Sequence, residues 1–340
     1  MKLWLTDLTP SQIAERLSLK PFQGRQIFRW IHRRRVFDFD AMTDLSLALR
    51  QRLEETCTAR QLTLAQMGES GRTPTKKALF RLADGETVEA VFLQDRDRVT
   101  LCVSCQVGCP LGCAFCATGH GGYKRNLRPG EIVEQVLLLL AGVDIQGRTP
   151  NVVFMGMGEP FLNYDAVVQS IRLLMDKQGL GIGARKITVS TVGEVAGIYR
   201  FAKEGWQVRL AVSLHAANDR LRSRLVPLNR KYPLDKLMES VRHYVKVTGR
   251  HVSFEWVLLK DVNDSAEHAQ ELVGLLDGLD ATVNLIVYNR VGELPYESPN
   301  PQTCKAFLQA LVHRGIKATL RQERGQDIDA ACGQLRLRNG

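Results

Sequence analysis

The sequence predicts an α/β fold in which parallel strands alternate with helices from about residue 99 onward. Short apolar runs rich in β-branched residues recur through this region, and amphipathic helical stretches separate them. Repeated strand–helix units imply parallel strands joined by right-handed crossovers. Six or seven such units fit a barrel or an incomplete barrel, and they also fit an open doubly wound sheet. In both architectures we expect binding residues at the carboxyl ends of the strands.

Length and composition narrow the class of protein further. The chain has 340 residues, of which 44% are hydrophobic and 24% charged, as in ordinary globular proteins. It is long enough to bury a substantial core. No apolar run is long enough to cross a membrane, and the N-terminal stretch contains Asp7 and lacks the long apolar region of a signal peptide. We therefore expect a cytoplasmic, monomeric protein with no membrane partner.

Residues 1–66 are predicted to form a helical domain. Ser11 to Glu15 offers an N-cap with an acidic first turn, and Gln23–Arg34 and Ser46–Thr56 carry apolar residues at helical spacing. Basic and aromatic side chains are interleaved between Lys20 and Arg35, and the whole chain has 46 basic against 36 acidic residues. This stretch suits contact with RNA phosphates, and it suits a solvated helix face equally well.

Residues 67–98 are predicted to form a β-hairpin extension. Two β-rich runs, Ala78–Leu82 and Thr87–Leu93, flank an Asp-Gly turn, which is a strong hairpin signal. The strands predicted in the third domain, residues 99–340, are Val99–Val103, Asn151–Met155, Lys186–Val192, Val208–Leu214, His251–Leu259, Thr282–Tyr288 and Lys317–Leu320. The helices predicted between them are Glu131–Leu140, Tyr164–Asp176, Val195–Glu204, Leu234–Val247, Ala266–Leu276 and Pro301–Arg314.

The cysteines are the most informative residues of the chain. Five of the eight lie within fifteen residues, and Cys109, Cys113 and Cys116 form a C-x3-C-x2-C pattern after the first predicted parallel strand. Without a secretory signal, clustered cysteines are more often metal ligands or catalytic thiols than disulfides. Three thiolates from one loop can bind three irons of a four-iron cluster and leave the fourth iron open. The alternative is a structural zinc site, although the C-x2-C pairs are closer together than in zinc ribbons.

Several other residues carry little signal when each is taken alone. Gly156–Pro160 follows a predicted strand, where glycine lets a ligand approach and Glu159 can accept from an ammonium group, but an ordinary turn explains it equally well. Glu89 on the second hairpin strand would face solvent. His215 would be a structural histidine, and Cys332 a passive residue. The two cysteines outside any motif, Cys57 and Cys304, are predicted to be core thiols.

The cysteine loop and its flanking motifs resemble the RlmN/Cfr family of radical S-adenosylmethionine (radical-SAM) RNA adenosine methyltransferases. C-x3-C-x2-C is the superfamily signature, and the string from Cys102 to Gly119 resembles this family in particular. Further matches are Lys20–Phe22, Gln26–Trp30, Gly119–Leu127, Met155–Pro160, Ser213–Ala216, Tyr288–Asn289 and Arg324–Gln334. The resemblance spans nearly the whole chain. It implies a partial (β/α) barrel of the radical-SAM type, with a helical N-terminal domain and a β-hairpin extension.

The resemblance also implies a role for each candidate site residue. Cys109, Cys113 and Cys116 are expected to bind a [4Fe-4S] cluster. The residues expected to contact S-adenosyl-L-methionine are Gly158, Glu159, Ser190, Ser213, Leu214, His215 and Asn289. Cys105 stands where we expect serine in this family, and His120 stands where we expect lysine. The spacing of the three cluster cysteines is unaffected by these differences.

The implied reaction consumes two S-adenosylmethionine molecules per turnover. One methylates Cys332, and the other is cleaved reductively to a 5′-deoxyadenosyl radical, which takes a hydrogen atom from the S-methyl group. The methylene radical then adds to an adenine carbon, which is electrophilic and does not accept a methyl group by polar transfer. By the same resemblance, Glu89 removes the proton from the substituted carbon. Cys102 attacks the Cys332 sulfur and resolves the protein–RNA adduct as a disulfide.

The expected substrate is an adenosine of 23S rRNA, methylated at C2, together with the tRNA adenosine 3′ of the anticodon. An electron donor such as flavodoxin or ferredoxin is also implied. Lys124, Arg125 and Arg128 follow the cysteine loop and are well placed to hold RNA. One alternative is a C8-methylating, Cfr-like enzyme that gives antibiotic resistance, but Glu159-Pro160 resembles the C2 group. The others are a non-catalytic zinc-containing RNA-binding protein and a radical-SAM enzyme that acts on a small molecule.

Overall fold

A ten-stranded mixed sheet forms the centre of the computed structural model, which describes residues 2–96, 98–141, 143, 147–292, 294–321 and 324–335. The strands are β1 Leu3–Trp4, β2 Cys57–Thr58, β3 Thr63–Glu69, β4 Thr75–Arg81, β5 Thr87–Asp95, β6 Arg98–Cys102, β7 Gln106–Gly108, β8 Tyr123–Asn126, β9 Asn151–Phe154, β10 Ile187–Thr191, β11 Arg209–Ser213, β12 Val252–Leu258, β13 Ala281–Val287 and β14 Lys317–Arg321. The helices are α1 Pro10–Arg16, α2 Pro21–Phe28, α3 Leu47–Thr56, α4 Ala117–His120, α5 Pro129–Leu139, α6 Tyr164–Met175, α7 Val195–Ala202, α8 Asp219–Leu225, α9 Leu234–Thr248, α10 Ala266–Leu275 and α11 Pro301–His313.

Seven neighbouring strands of the sheet run parallel, and they follow one another in chain order. The order across the sheet is β14-β13-β12-β11-β10-β9-β6-β5-β4-β3, with β6 and β9–β14 parallel. A doubly wound sheet would reverse its strand order at a switch point, so that alternative is wrong. The sheet curves around a cavity of about 740 Å³ that is lined from β9, β10, β11, β12, β13 and β14. The partial (β/α) barrel predicted from the sequence is confirmed.

The two faces of the parallel strands differ in polarity. Residues on the outer face are apolar and at most 1% exposed beneath the helices: Val152, Phe154, Ile187, Val189, Leu210, Val212, Val252, Phe254, Trp256, Val283 and Leu285. Their strand neighbours point to the other, concave face and include Thr188, Ser190, Ser213, Ser253, Glu255, Thr282, Asn284 and Arg321. Burial against the helices therefore supplies the core, and the concave face is left polar.

The hairpin extension differs from its prediction. Three antiparallel strands, β3, β4 and β5, continue the barrel sheet through the β5–β6 pair. The sequence predicted two strands here, and β3 crosses the predicted domain boundary between residues 66 and 67. The division of the chain at residues 66 and 98 remains a prediction, and the last five residues of the third predicted domain, 336–340, lie outside the described part.

The N-terminal helices pack against the barrel through α5. Thr9 caps α1 in a capping box with Gln12, so the predicted cap at Ser11 is wrong by two residues. Glu134 on α5 is buried, and its carboxylate accepts hydrogen bonds from the Thr6 hydroxyl at 2.8 Å and from the Leu62 amide at 2.8 Å. These bonds tie both ends of the N-terminal domain to one helix. Across the described ranges, no helix is both long and apolar enough to span a membrane.

Candidate active site

The cysteine loop lies over the carboxyl ends of the parallel strands. It begins with Cys109, directly after β7. Gly112 has a φ of +63°, in the left-handed region that favours glycine, and this allows the chain to turn between Cys109 and Cys113. Phe115 packs edge-on against the ring of His215, with 4.7 Å between the ring centroids. The loop is thus anchored to the barrel by the aromatic residue of its motif.

The three thiols of the loop are close enough to interact electrostatically. Burial, together with the Cys116 thiol, raises the pKa of Cys109 to about 12. Burial raises the pKa of Cys113 well above its usual range, and the thiols of Cys116 and Cys109 contribute. Within the described residues, no group of three or more His, Cys, Asp or Glu side chains is arranged to hold a single metal ion. Three thiols on one short loop are the donor set that can bind three irons of a four-iron cluster, so the residue types fit that group.

The glycine turn after β9 is shaped by packing against β7. Gly158 has a φ of +102°, and a Cβ atom there would lie 2.6 Å from the Cβ of Gln106. The Glu159 amide donates to Gln106 Oε1 at 2.8 Å, and the Glu159 carboxylate accepts from the amides of Phe161 at 3.0 Å and Val192 at 2.9 Å. Burial raises the pKa of Glu159 to about 7, and these amides oppose the increase. The carboxylate keeps lone pairs for a further donor such as an ammonium group.

Polar groups also gather at the ends of β10 and β11. The hydroxyls of Ser190 and Ser213 lie 3.2 Å apart. His215 has a φ of +62°, and its Nδ1 accepts from the Val257 amide at 3.1 Å, so the neutral ring holds its proton on Nε2. Burial, with a contribution from Arg222, lowers the pKa of His215 to about 3. The ring is therefore neutral at physiological pH.

The last two predicted cofactor contacts lie nearby, just after β11 and β13. Leu214 is fully buried, and its amide donates to the Glu255 carbonyl at 3.0 Å. Asn289 follows β13, and its Oδ1 accepts from the Gln326 side chain at 2.6 Å. All seven predicted cofactor residues therefore belong to the carboxyl ends of β9, β10, β11 and β13, which is where a ligand of a (β/α) barrel binds.

Glu89 is fully buried on β5, so the solvent-facing interpretation is wrong. Its carboxylate lies 3.2 Å from Lys77 Nζ, and its backbone carbonyl accepts from the Ser104 hydroxyl at 2.6 Å. Val91, two residues along β5, is paired with Cys102 on β6. Cross-strand partners share a face, as do residues two apart on one strand. Glu89 and Cys102 therefore both face the concave side.

The two candidate thiols Cys102 and Cys332 are neighbours. Burial raises the pKa of Cys102 to about 12, and Cys332 contributes to that increase. Cys332 is exposed, yet desolvation by the surrounding protein raises the pKa of its thiol. Arg321 lowers the pKa of both. Both cysteines are free thiols. The structure thus brings together the two thiols that the sequence separates by more than two hundred positions.

Cys332 belongs to residues 324–335, here called the tail segment, which lies across the mouth of the barrel. At its start, the Gln326 side-chain amide donates to Asn289 Oδ1 beside the end of β13. Farther along, the Ala117 amide after the cysteine loop donates to the Gly333 carbonyl at 2.8 Å. These contacts hold Cys332 between the strand ends and the cysteine loop.

Some polar residues of the concave face were missed by the sequence predictions. Asn284 donates to Glu255 at 2.8 Å, and Arg321 pairs with Glu255 at 3.3 Å. Lys77 pairs with Glu89 on the neighbouring strand. Their common signal is polar residues at alternate positions along otherwise apolar strands. Interpreting these strands only as apolar runs hid that signal.

The cysteines outside the site also have clear positions. Cys57 and Cys304 are each 2% exposed, which confirms the prediction of core thiols. Cys105 is buried as well, and its thiol donates to the Met157 carbonyl at 3.6 Å, a distance consistent with a sulfur donor.

Comparison with known proteins identifies the family. The profile of the Radical SAM superfamily matches residues 103–273, and that of the "Ribosomal RNA large subunit methyltransferase N-terminal domain" matches residues 5–59. A "Probable dual-specificity RNA methyltransferase RlmN" of Dictyoglomus turgidum is 45% identical over 316 residues, covering 93% of this chain and 90% of the relative. The chain belongs to the RlmN family of radical-SAM RNA methyltransferases. The relative of the same name from Staphylococcus aureus (strain Newman) is 47% identical over 318 residues, covering 93% of this chain and 87% of its own length.

A solved structure supports membership of the RlmN family. A radical SAM methyltransferase from Sphaerobacter thermophilus superposes with a TM-score of 0.95 and is 48% identical, covering 98% of this chain and 99% of its own. The resemblance to the RlmN/Cfr family is therefore confirmed. As a radical-SAM protein, this RlmN family member uses a [4Fe-4S] cluster and S-adenosylmethionine. This decides between the two interpretations of the cysteine loop in favour of the cluster.

Proposed function

We propose that this protein methylates C2 of an adenosine in 23S rRNA and also the tRNA adenosine 3′ of the anticodon. The observation that carries the proposal is the proximity of two free thiols, Cys102 and Cys332, whose charges interact. The buried carboxylate of Glu89 lies on the same face of the sheet as Cys102. The relatives are named as dual-specificity RNA methyltransferases, which supports two RNA substrates. The dipeptide Glu159-Pro160 supports C2 over C8 through the resemblance described above.

The cofactors are assigned to the residues that fit them. Cys109, Cys113 and Cys116 would hold the [4Fe-4S] cluster, and an electron donor such as flavodoxin or ferredoxin would supply its electrons. The residues that hold S-adenosylmethionine are Gly158, Glu159, Ser190, Ser213, Leu214, His215 and Asn289. The support is their shared position at the strand ends beside the loop, with a free acceptor capacity on Glu159 for the amino group.

The chain's own residues carry and release the methyl carbon. When bound, two S-adenosylmethionine molecules and the cluster would supply the methyl carbon and the one-electron chemistry. Joining the carbon to adenine requires the removal of one hydrogen atom from the methyl group and of one electron from the adduct. Cys332 carries the carbon to the RNA, because it is the exposed thiol of the pair. Glu89 accepts the proton lost from the substituted ring carbon, and the electron pair of the C–H bond stays in the ring.

Cys102 then releases the product. Its thiolate attacks the Cys332 sulfur, so that an S–S bond forms and the bond between that sulfur and the methylene carbon breaks. The electron pair of the broken bond moves to the carbon, which takes up a proton and becomes the methyl group. Arg321 favours the thiolate form at this step, since it lowers the pKa of both thiols. An external dithiol reductant regenerates the two thiols.

Two of the three RNA contacts expected after the cysteine loop, Arg125 and Arg128, already form ion pairs, whereas the expectation for Lys124 stays a prediction. Arg125 already pairs with Glu131 at 2.8 Å and with Asp84 at 2.6 Å, and Arg128 pairs with Asp7. A better candidate is a cleft of about 440 Å³ between the N-terminal domain and the start of α5. Its basic and aromatic lining includes Lys2, Trp4, Arg16 and Arg52, none of which the structure pairs with a carboxylate among the described contacts. Cations around an indole suit a phosphate and its unpaired base, so we assign this cleft to RNA.

Nucleoside mass spectrometry tests the proposed function. Anaerobically purified, iron-loaded protein is incubated with reductant, S-adenosylmethionine and either 23S rRNA or tRNA, and the RNA is digested. We expect 2-methyladenosine from both RNAs, and none when Cys332→Ala replaces the wild type. A product of 8-methyladenosine would move the protein to the Cfr-like alternative. Formation of 5′-deoxyadenosine with no methylated adenosine would overturn the proposed substrate.

A further inference from the structure

Lys77 is a buried lysine to which the proposed reaction assigns no role. It lies on β4 and is 7% exposed, although lysine is among the residue types least often buried. Its Nζ lies 3.2 Å from Glu89 Oε1 and donates to the Asp329 carbonyl at 3.1 Å. One ammonium group therefore touches both the candidate base and the tail segment, three residues before Cys332.

The strand register makes this contact a consequence of the sheet. Lys77 is paired with Val91 and Glu89 with Leu79 across β4 and β5. Lys77 and Glu89 are therefore diagonal neighbours on the concave face, within reach of a long side chain. Lys76, the next residue, points to the other face and pairs with Glu69 at the surface. The two adjacent lysines thus have opposite environments on one strand.

We propose that Lys77 is a positioning residue whose ammonium group holds the Glu89 carboxylate and fixes the tail segment, and with it Cys332, relative to that base. This inference rests on the proposed function. A buried carboxylate stays charged only when a cation or several donors compensate it, and a base must be charged to accept a proton. The ammonium has three donors, so it can serve Glu89 and the Asp329 carbonyl at once.

The tail segment is held to the hairpin extension beside this contact as well. The Asp327 carboxylate accepts from the Ser70 hydroxyl at 2.8 Å and from the Gly71 amide at 3.0 Å. Arg324 donates to the Gln94 carbonyl at 2.8 Å. These bonds set the position of the segment as a whole, while Lys77 joins it to the base. The methylene carbon on Cys332 and the carboxylate of Glu89 must meet the same adenine carbon, and errors of about 1 Å in such an arrangement can cost about 100-fold in rate.

The test measures coupling as well as rate. Lys77→Met keeps the apolar stem and removes the ammonium. We expect methyladenosine formation to fall about 100-fold, as for loss of a general base. The ratio of 5′-deoxyadenosine to methyladenosine should rise about tenfold or more, while Cys332 methylation, followed by mass spectrometry of the protein, stays at the wild-type level. Lys77→Arg should recover most of the coupling, and Lys76→Met on the opposite face should match the wild type.

A double variant separates positioning from general support of the fold. If Lys77 acts through Glu89, Lys77→Met combined with Glu89→Gln should methylate RNA no more slowly than Glu89→Gln alone. The double variant also removes the buried charge that has lost the Lys77 ammonium, so it keeps the test available if Lys77→Met fails to fold. Multiplied losses in the double variant, an unchanged coupling ratio, or an equal loss of Cys332 methylation would overturn the proposal. A wild-type protein that makes no methyladenosine would instead overturn the proposed function.

Discussion

The two sides of the concave site are built by different kinds of chain segment. On the barrel side, the residues assigned to S-adenosylmethionine sit at the ends of parallel strands whose outer faces are fully buried under helices. On the hairpin side, Glu89 and Lys77 come from antiparallel strands, and Cys332 comes from a tail segment held by hydrogen bonds. In the proposed function, the barrel side holds the cofactors on strands packed under helices, whereas the hairpin side brings together the residues of the transfer step from distant parts of the chain. Substitutions on the barrel side should abolish both S-adenosylmethionine cleavage and methyl transfer to RNA. Substitutions on the hairpin side should abolish methyl transfer alone.

The largest effect is expected at the cysteine loop. Cys113→Ser removes a thiolate ligand from a buried position, so we expect loss of the cluster and therefore of both 5′-deoxyadenosine and methyladenosine. Iron content and product analysis check this. The matched control is Cys304→Ala, which alters a buried thiol on α11 outside the site and should keep its iron. An iron-loaded Cys113→Ser variant that still cleaves S-adenosylmethionine would remove this residue from the ligand set.

On the hairpin side, Cys332→Ala should separate the two activities. This change removes the thiol that we propose carries the methyl carbon, so no methyladenosine should be detectable. The cysteine loop and the strand ends are untouched, so cluster assembly and 5′-deoxyadenosine formation should persist. Normal RNA methylation by this variant would contradict the role of Cys332.

The partner thiol should give a different defect. Cys102→Ala leaves Cys332 in place and removes the thiol that we propose releases the product. We expect a covalent protein–RNA species to accumulate under turnover, visible as a shifted band on a denaturing gel that RNase removes. If turnover proceeds without such a species, Cys102 does not resolve the adduct.

Substrate docking should respond less strongly than chemistry. Reversing two charges of the cleft around Trp4, with Arg16→Glu and Arg52→Glu together, should weaken RNA binding by about tenfold and reduce the salt dependence of binding by about two counterions. Binding titrations over a range of salt concentrations measure both quantities. Lys236→Glu together with Lys246→Glu, at two exposed positions of α9, is the control, because it also reverses two positive charges. Equal losses from the two changes would show that the cleft has no special part in RNA binding.

The smallest effect on catalysis is expected at Glu134, which links the N-terminal domain to α5. Burial raises the pKa of Glu134 from 4.5 to about 7, although bonds from Leu62, Thr6 and Gln61 oppose the increase. Between these two values the folded state binds more protons than the unfolded state, so stability should fall as pH rises through that window. Glu134→Gln should lose this dependence, by roughly 1–3 kcal/mol across the window. Thermal midpoints of both proteins at several pH values test this, and identical pH profiles would contradict it.

Sequence patterns predict the barrel side better than the hairpin side, for a physical reason. A helix such as α9 was predicted as Leu234–Val247 and is found at Leu234–Thr248, because its apolar spacing is local. The edge strand β3 has no such apolar pattern, because nearly all of its residues are exposed. It is held by backbone pairing with β4. The Lys77–Glu89 pair depends on the register of two strands, which a linear pattern does not contain. The role proposed for Cys332 came only from the family resemblance, because a single cysteine forms no spacing pattern from which a function could be predicted.

The polarity of the concave face bears on how this fold tolerates change. Trp256 and Phe254 on β12 and their outward neighbours carry the packing, so the folding free energy resides in the shell between sheet and helices. Side chains such as Ser253 and Thr282 line an open cavity and contribute little to that shell. Substitutions inside the barrel can therefore accumulate without unfolding the protein. In a scaffold of this kind, the residues that stabilise the fold differ from those that determine the reaction. The interior can therefore diverge among descendants of one ancestral enzyme while the fold is kept.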